Sequence, residues 1–474
     1  MFRFKKVVCV IWAIFAVMGL GGQGSGLFAM GIFFQPDAKA SAMGSAFVAV
    51  ADNASAVYWN PAGLLQLSGT GVMITGMASV VDAEGDSLLN TELANVSNGD
   101  FPLPKIYPTT EPDKYSSEKL KTSAYLPGVF AYTNIGGISV GIVSQVLGGG
   151  GGKWSDRISF PSGEDTITYD DDGNEIIVAA VKDTVAAKVD DEYGFLVSGI
   201  TVGKEVASGI ACAIGLNYIY KTNETTIEKT YVLGPNSALL GSGIGDYRLY
   251  YKDEGSGSGI EPIVAVLYKP SNFPAIRMGA TYRAGTIVKT DGTVRYIQAG
   301  FGDADMDYKT TYIQKYTYPS TLGIGVAYNP LYDFATGSLK NLLIAVGISF
   351  SNYSVVKKDT DYKDDSVYAD GVEKMGWKDS TQINIGIEYP STESLSFRCG
   401  LTNDANIVKS SDRTLLNTNQ YSLLYLTTGV GYTIKKYAID FYYGHGFSST
   451  AEFGGREYKY PSNDFRLSVS AKLN

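Results

Sequence analysis

The connections between the apolar segments of this chain alternate strictly between short and long. From about residue 70 onward, apolar and polar residues alternate within short segments, which predicts β-strands with one apolar and one polar face. Six connections are short turns and seven are long loops, and the two kinds follow one another in order. This order is typical of an up-and-down barrel in a membrane, with the short turns on one side and the long loops on the other.

Thirteen alternating connections require fourteen strands. We therefore predict an all-β chain, a 14-stranded antiparallel transmembrane β-barrel over residues 70–474. An even number of strands returns both ends of the barrel to the same side of the membrane, and closure removes the exposed strand edges. The predicted strands are residues 70–81, 123–134, 137–147, 191–202, 208–221, 257–268, 275–290, 315–328, 340–354, 377–389, 394–403, 420–433, 437–447 and 462–473.

The apolar faces of four predicted strands end in a tyrosine just before a short turn. A tyrosine at the edge of an apolar band is typical of the aromatic girdle at a membrane interface. The short turns are therefore assigned to one membrane face, and both termini are expected in the periplasm. The four residues are Tyr268, Tyr328, Tyr389 and Tyr432.

The N-terminus has the pattern of a secretory signal peptide, residues 1–26. Three cationic residues precede an apolar stretch, 7–20, that is too short to span a membrane, and small residues follow. The alternative is an N-terminal anchor helix. A Sec-type signal fits an exported barrel, and the acidic net charge of −9 argues against a nucleic-acid partner.

Residues 27–69 are rich in small residues and do not read as barrel strands. Asn60 before Pro61 is typical of a helix N-cap followed by the first helical position. A mixed apolar segment of this length is poorly suited to water, and the lumen of a fourteen-stranded barrel is wide enough to hold it. We therefore predict an N-terminal hatch, or plug, in the lumen, with Asn60, Pro61, Ala62 and Gly63 as candidate gate residues.

This segment is similar to a known family. The sequences GSAFVAVADNASA (44–56) and YWNPAGL (58–64) resemble the N-terminal hatch of the FadL/TodX family of outer-membrane transporters of hydrophobic compounds. Residues 267–283 and 318–328 resemble paired strands of the same family. The resemblance covers most of residues 38–474 and leaves the loops unmatched.

The resemblance implies a channel in the outer membrane of a diderm, Gram-negative-type bacterium that takes up hydrophobic molecules such as long-chain fatty acids and hydrocarbons. It implies that ligand enters among the extracellular loops, reaches an apolar pocket, shifts the hatch and leaves sideways near a kinked third strand. Here that strand is 138–147 with Gly141 inside it, and glycine weakens strand pairing; the alternative is a simple bend. Other expected partners are outer-membrane lipid and the barrel-assembly machinery, although the chain ends in Leu473-Asn474 and not in the aromatic residue common in such barrels.

Three inward-facing arginines, Arg277, Arg283 and Arg398, are candidate binding residues for a fatty-acid carboxylate. The alternative is that these charges pair with one another or with the hatch, because buried charges are usually paired. The alternative function for the whole chain is a FadL-like barrel that serves protein secretion or surface attachment, as in type IX secretion. Bound lipid in the lumen would favour uptake, and a bound protein would favour secretion.

We expect neither an enzyme nor a cofactor or metal site. His445, the single histidine, falls on the lipid-facing side of its strand by parity, away from any nucleophile. The glycine run 148–152 lacks the first glycine and the Ser or Thr of a phosphate-binding loop. Cys212 and Cys399 fall on outward faces, and their spacing leaves open whether they form a disulfide.

Overall fold

The computed structural model describes most of the chain after the first 35 residues. The proposed signal peptide and the first part of the predicted hatch lie outside the described residues. Within those residues, no helix is long and apolar enough to cross a membrane. The described ranges are 36–86, 117–159, 166–169, 175–178, 184–232, 247–299, 305–332, 341–366, 368–404, 407, 423–448, 451–453, 456–458 and 462–473.

Short helices come first along the chain, and strands follow. The helices are α1 (Ala38–Ala42), α2 (Ala56–Trp59) and 3-10 turns at Pro61–Gln66 and Tyr353–Val355. The strands are β1 (Thr70–Asp86), β2 (Ser117–Ile135), β3 (Ile138–Ser159), β4 (Thr166–Tyr169), β5 (Glu175–Val178), β6 (Thr184–Ala207), β7 (Ile210–Val232), β8 (Tyr247–Tyr268), β9 (Ile276–Arg283), β10 (Ile287–Ala299), β11 (Met306–Thr317), β12 (Thr321–Tyr328), β13 (Leu343–Ser351), β14 (Lys357–Tyr362), β15 (Gly371–Lys374), β16 (Ser380–Pro390), β17 (Leu395–Asp404), β18 (Leu423–Ile434), β19 (Tyr437–Ser448), β20 (Ala451–Phe453), β21 (Arg456–Tyr458) and β22 (Ser462–Lys472).

The described strands confirm the predicted closed antiparallel barrel of fourteen strands. Ten of them are single segments, and four are composite strands, each made of two segments: β9–β10, β11–β12, β13–β14 and β15–β16. The last strand, β22, pairs with β1 from Gly71–Lys472 to Val81–Ser462, which closes the barrel. The pairs β4–β5 and β20–β21 form separate two-stranded hairpins.

The outer surface of the barrel carries an apolar band. Along β12, Leu322, Ile324 and Val326 point outward and are exposed, whereas the residues between them face the lumen. The four tyrosines predicted to end the apolar faces are all exposed at the strand ends next to short turns. This band is the surface that lipid chains cover in a membrane barrel.

The four composite strands all break at one level, the extracellular edge of the apolar band. Side chains satisfy backbone groups that the breaks release: Asn352 Oδ1 accepts from Ser320 N at 2.7 Å, and Asp379 Oδ1 accepts from Ser354 N at 2.8 Å. Beyond the break most outward residues of β11 are polar, among them Lys309, Thr311 and Lys315. The breaks are at residues 284–286, 318–320, 352–356 and 375–379.

Two features of the predicted strand pattern were wrong. Residues 275–290 and 315–328 were predicted as unbroken strands, but each is interrupted, the second at Pro319, which has no N–H to donate to a ladder. Residues 148–159, 222–232 and 247–256 were predicted as loops, but they extend β3, β7 and β8. Outside the bilayer the outer face need not be apolar, so the alternation disappears although backbone pairing continues.

A charge on the apolar band below the breaks should destabilise the barrel, whereas the same charge above the breaks should not. Ile324→Arg lies within the band, and we expect it to lower the free energy of folding into vesicles by about 2–4 kcal/mol. Ile313→Arg, on the outward face of β11 above the break, is the matched control because its exposure is similar (46% and 40%). Urea titration of protein refolded into phosphatidylcholine vesicles measures both. Equal losses would contradict the placement of the membrane edge at the breaks.

Candidate ligand pocket and hatch

Residues 36–69 lie inside the barrel and pack against its inner wall; we call this segment the hatch. Inward-facing glycines of the wall let the hatch backbone approach closely. A Cβ atom at Gly400 would lie 2.2 Å from Gly44 N, and one at Gly386 would lie 2.3 Å from Met43 O. Any larger residue at these wall positions would push the hatch away from β16 and β17.

A buried carboxylate organises the hatch. Asp37 is fully buried and caps α1 by accepting from Ala40 N at 3.0 Å. The same carboxylate accepts from Asn53 Nδ2 at 3.1 Å, from Ser55 Oγ and from Trp59 Nε1 at 3.4 Å. Several donors on one buried carboxylate satisfy its charge. Asp37 therefore ties α1 to the start and end of α2.

The predicted gate residues lie where the hatch meets β8. Asn60 caps the following 3-10 turn by accepting from Ala62 N at 3.1 Å, and Pro61 is the first residue of that turn, so the predicted cap is confirmed. Asn60 Nδ2 also donates to Val48 O at 2.8 Å and to Val266 O of β8 at 3.0 Å. A Cβ at Gly63 would lie 2.4 Å from the carbonyl oxygen of Ala51. Their role as a gate stays a prediction.

A chain of five charges joins the hatch to the wall. Lys39 Nζ lies 3.0 Å from Asp52 and 3.1 Å from Glu388 of β16. Arg398 of β17 donates to Glu388 and, at 2.6 Å, to Asp440 of β19. The charges alternate in sign and are largely buried. Each is therefore stabilised by the opposite charges beside it, and removal of one leaves a buried charge unpaired. The sequence predicted that Arg398 faces inward, but it carried no sign that Lys39 of the hatch would lie between two carboxylates.

The three arginines predicted to bind a carboxylate all have partners. Arg277 donates to Gln66 Oε1 at 3.2 Å, and Arg398 belongs to the charge chain. Arg283 donates to Glu261 at 3.2 Å and to Tyr58 O, and its guanidinium lies 4.0 Å from the centre of the Tyr58 ring. Of the three, only Arg283 lines the cavity described next. A role in substrate binding stays a prediction for each.

A cavity of about 210 Å³ lies between the hatch and the level of the strand breaks; we call it the hatch pocket. The hatch contributes its floor, and the ends of β9, β12, β13 and β16 contribute its wall. Its position at the breaks means that the same backbone interruptions shape both the barrel wall and the pocket. The lining residues are Ser45, Val48, Tyr58 and Trp59 from the hatch and Thr281, Arg283, Thr321, Gly323, Ser349, Ser351, Tyr353, Ser380 and Gln382 from the wall.

An apolar, aromatic cluster adjoins the hatch pocket; we call it the aromatic cluster. It shares Tyr58 and Tyr353 with the pocket and reaches Phe195 and Val197 on β6. Rings within it are in contact, with Phe195 and Tyr318 centred 5.4 Å apart. The cluster consists of Val197, Ile219, Val288, Tyr316, Tyr318 and Val356, with Tyr58, Phe195, Tyr353, Met375 and Trp377 packed against it.

The seam between β2 and β3 is short. Within the described residues, β2 and β3 pair only over 128–135 and 138–145. Beyond that point β2 continues to pair with β1, and β3 continues to pair with β6 to Ser159. A register shift between Val146 and Gly148 lies where the seam ends. Val197 of the aromatic cluster pairs with Gln145, the last residue of β3 within the seam.

The two cysteines after the proposed signal peptide and the single histidine lie apart from the hatch pocket. Cys212 and Cys399 are free cysteines, so they form no disulfide. His445 lies on the outward face of β19, where Nδ1 is 3.0 Å from Asn463 Oδ1. No group of three or more His, Cys, Asp or Glu residues that could hold a metal occurs among the described residues.

Comparison with known proteins identifies the fold. No protein-family model and no curated protein matches the chain. Among solved structures, a FadL homologue from Pseudomonas aeruginosa has a TM-score of 0.62 at 12% identity, over 92% of this chain and 98% of that one. The toluene transporter TodX from Pseudomonas putida has a TM-score of 0.57 at 14% identity, over 95% and 100%. The toluene transporter TbuX from Ralstonia pickettii has 0.55 at 14%, over 92% and 98%. This likeness shows a FadL-like barrel fold.

Breaking the charge chain should loosen the hatch. Lys39→Met leaves Asp52 and Glu388 without their shared cation, which weakens the attachment of the hatch to the wall by up to about 3 kcal/mol. We expect larger steady ion conductance in planar bilayers than for the unchanged protein. The control is Lys315→Met, because its contact to Asp359 is exposed and 4.0 Å long. A Lys39→Met conductance equal to that of the control would contradict the role of the charge chain.

Proposed function

We propose that this protein is an outer-membrane channel for the uptake of hydrophobic molecules into a diderm bacterium. The exposed apolar band around a closed barrel supports a membrane location. The FadL-like fold supports the function, because solved structures of similar fold include a toluene transporter and a monoaromatic hydrocarbon channel. Long-chain fatty acids are the first class of substrate that we would test.

The short β2–β3 seam is the observation that carries this proposal. The hatch lies in the lumen, and its backbone contacts the wall closely. The wall itself has fewer ladder pairs at the β2–β3 seam than between β6 and β7, which pair over their full lengths. An apolar molecule that leaves sideways at the seam enters lipid and avoids the aqueous periplasm.

The apolar contacts of the lumen suggest the route to the seam. A ligand in the hatch pocket touches Tyr58 and Tyr353, which also belong to the aromatic cluster. The cluster continues to Phe195 and Val197 on β6, beside the end of the seam at Gln145. The proposed route therefore runs from the extracellular side to the hatch pocket, along the aromatic cluster, and out between β2 and β3.

The hatch is in a position to couple ligand binding to the seam. Tyr58 lines the hatch pocket, and its neighbour Val57 packs on β3 at Gly141, where an added Cβ would lie 2.5 Å from Val57 and from Leu64. A ligand that displaces Tyr58 therefore moves side chains that rest on β3. In this proposal Asn60, Pro61, Ala62 and Gly63 form the turn that carries the movement.

Uptake of labelled long-chain fatty acid by cells tests the function directly. A diderm host that lacks its own transporter would carry either this chain or an empty vector. We expect faster uptake with the chain, because apolar solutes cross an outer membrane slowly without a channel. Equal uptake by the two strains would overturn the fatty-acid version of the proposal.

Closing the seam by one further residue pair should slow uptake. Pro127→Cys with Val146→Cys, in a Cys212→Ala, Cys399→Ala background, places a disulfide at the next register position above the seam. We expect uptake to fall several-fold under oxidising conditions and to recover on reduction.

The matched control for the seam is Ala131→Cys with Ile142→Cys. These residues already face each other within the paired part of the seam, so their disulfide leaves the opening unchanged. A similar loss of uptake for both pairs, or no loss for either, would argue against lateral release at this place.

A further inference from the structure

The hatch pocket is rich in hydroxyl groups for a channel that carries hydrophobic molecules. Six Ser or Thr side chains and the Gln382 amide line it. Each hydroxyl can donate one hydrogen bond and accept two, so even a paired one such as Thr321, 2.9 Å from Ser351 Oγ, keeps spare capacity. A purely apolar ligand would deprive these groups of water and offer them nothing in return. The six residues are Ser45, Thr281, Thr321, Ser349, Ser351 and Ser380.

The cation of the pocket is already neutralised. Arg283 Nη1 lies 3.2 Å from Glu261 Oε2, and Nη2 donates to the carbonyl oxygen of Tyr58. One face of the guanidinium lies over the Tyr58 ring, with Cζ 4.0 Å from the ring centre. A carboxylate that entered would meet a paired arginine together with the carboxylate of Glu261, so an anionic head gains little from the charge.

The size of the pocket limits what it can hold. Its volume of about 210 Å³ is below the roughly 300–1,000 Å³ of pockets that hold a drug-sized ligand. That is enough for a small polar head and too little for a long alkyl chain as well. The adjoining aromatic cluster, reached at Tyr58 and Tyr353, offers apolar surface for the tail.

We propose that the hatch pocket binds a neutral, hydroxylated head group attached to an apolar tail, as in a monoacylglycerol. This inference rests on the proposed uptake function and narrows its substrate class. The head group donates to and accepts from the hydroxyls of β13 and its neighbours, and the tail lies along the aromatic cluster. Because Tyr58 and Trp59 form part of the pocket, the head touches the hatch directly.

Three ligands with the same twelve-carbon chain test the head-group preference. They are 1-monolauroylglycerol, laurate and dodecane, each measured for binding to the full chain in lipid nanodiscs that contain no alkyl-glycoside detergent. Two or more hydrogen bonds to the head group correspond to an affinity about tenfold or more higher. We therefore expect 1-monolauroylglycerol to bind at least about tenfold more tightly than laurate or dodecane.

A double substitution locates the effect in the pocket. Ser349→Ala with Ser351→Ala removes two neighbouring lumen-facing hydroxyls of β13. We expect it to weaken 1-monolauroylglycerol about tenfold and to leave dodecane unchanged. The matched control is Ser396→Ala on β17, which faces the lumen outside the pocket and should change neither affinity.

The outcomes separate this inference from the uptake function. If laurate or dodecane binds as tightly as 1-monolauroylglycerol, or if the double substitution changes none of the affinities, the head-group inference is overturned and uptake of hydrophobic molecules stands. If none of the three ligands binds, the inference and the proposed function fall together.

Discussion

The pairing of β22 with β1 is the contact on which the rest of the structure depends. In a bilayer no water is present to satisfy backbone N–H and C=O groups, so an open sheet edge is not tolerated. Eleven residue positions of β1 meet β22 and remove that edge. Closure also creates the lumen, and the lumen gives the hatch a place where its small and apolar residues are buried.

The hatch is held against the barrel wall by several kinds of contact, which differ in how easily water can replace them. Close backbone approach to inward glycines fixes its position sterically. The hydrogen bonds of Asn60 and the charges around Lys39 fix it through polar groups. Polar contacts can be replaced by water at modest net cost, whereas buried apolar contacts cannot. The hatch has such apolar contacts as well, because Phe47 clusters with Leu343 of the wall and Leu64 clusters with Phe130.

Much of the barrel could be predicted from the sequence, and less of the pocket. Alternation is strong where lipid covers one face, so the outward orientation of Tyr328 and Tyr389 was predicted correctly. It is weak in the extracellular parts of β7 and β8, because the outward face there is no longer apolar, as at Arg248 and Glu254 of β8. Proline and turn residues in the sequence indicate the strand breaks at Pro319 and near Asn352. The position of these breaks at one level of the barrel depends on the strand register. The contact of Lys39 with Glu388 joins residues far apart in the chain, and no local pattern encodes such a pair.

The row of strand breaks makes the two sides of the barrel mechanically unequal. β6, β7 and β8 pass from the periplasmic turns into the extracellular region as continuous ladders, so a force on their outer ends reaches the membrane section directly. On the adjoining part of the wall, which begins where β9 and β10 pair with β8, the composite strands are interrupted at the hatch pocket. We therefore expect movement of the extracellular segments to reach the membrane section more directly through β6, β7 and β8 than through the composite strands.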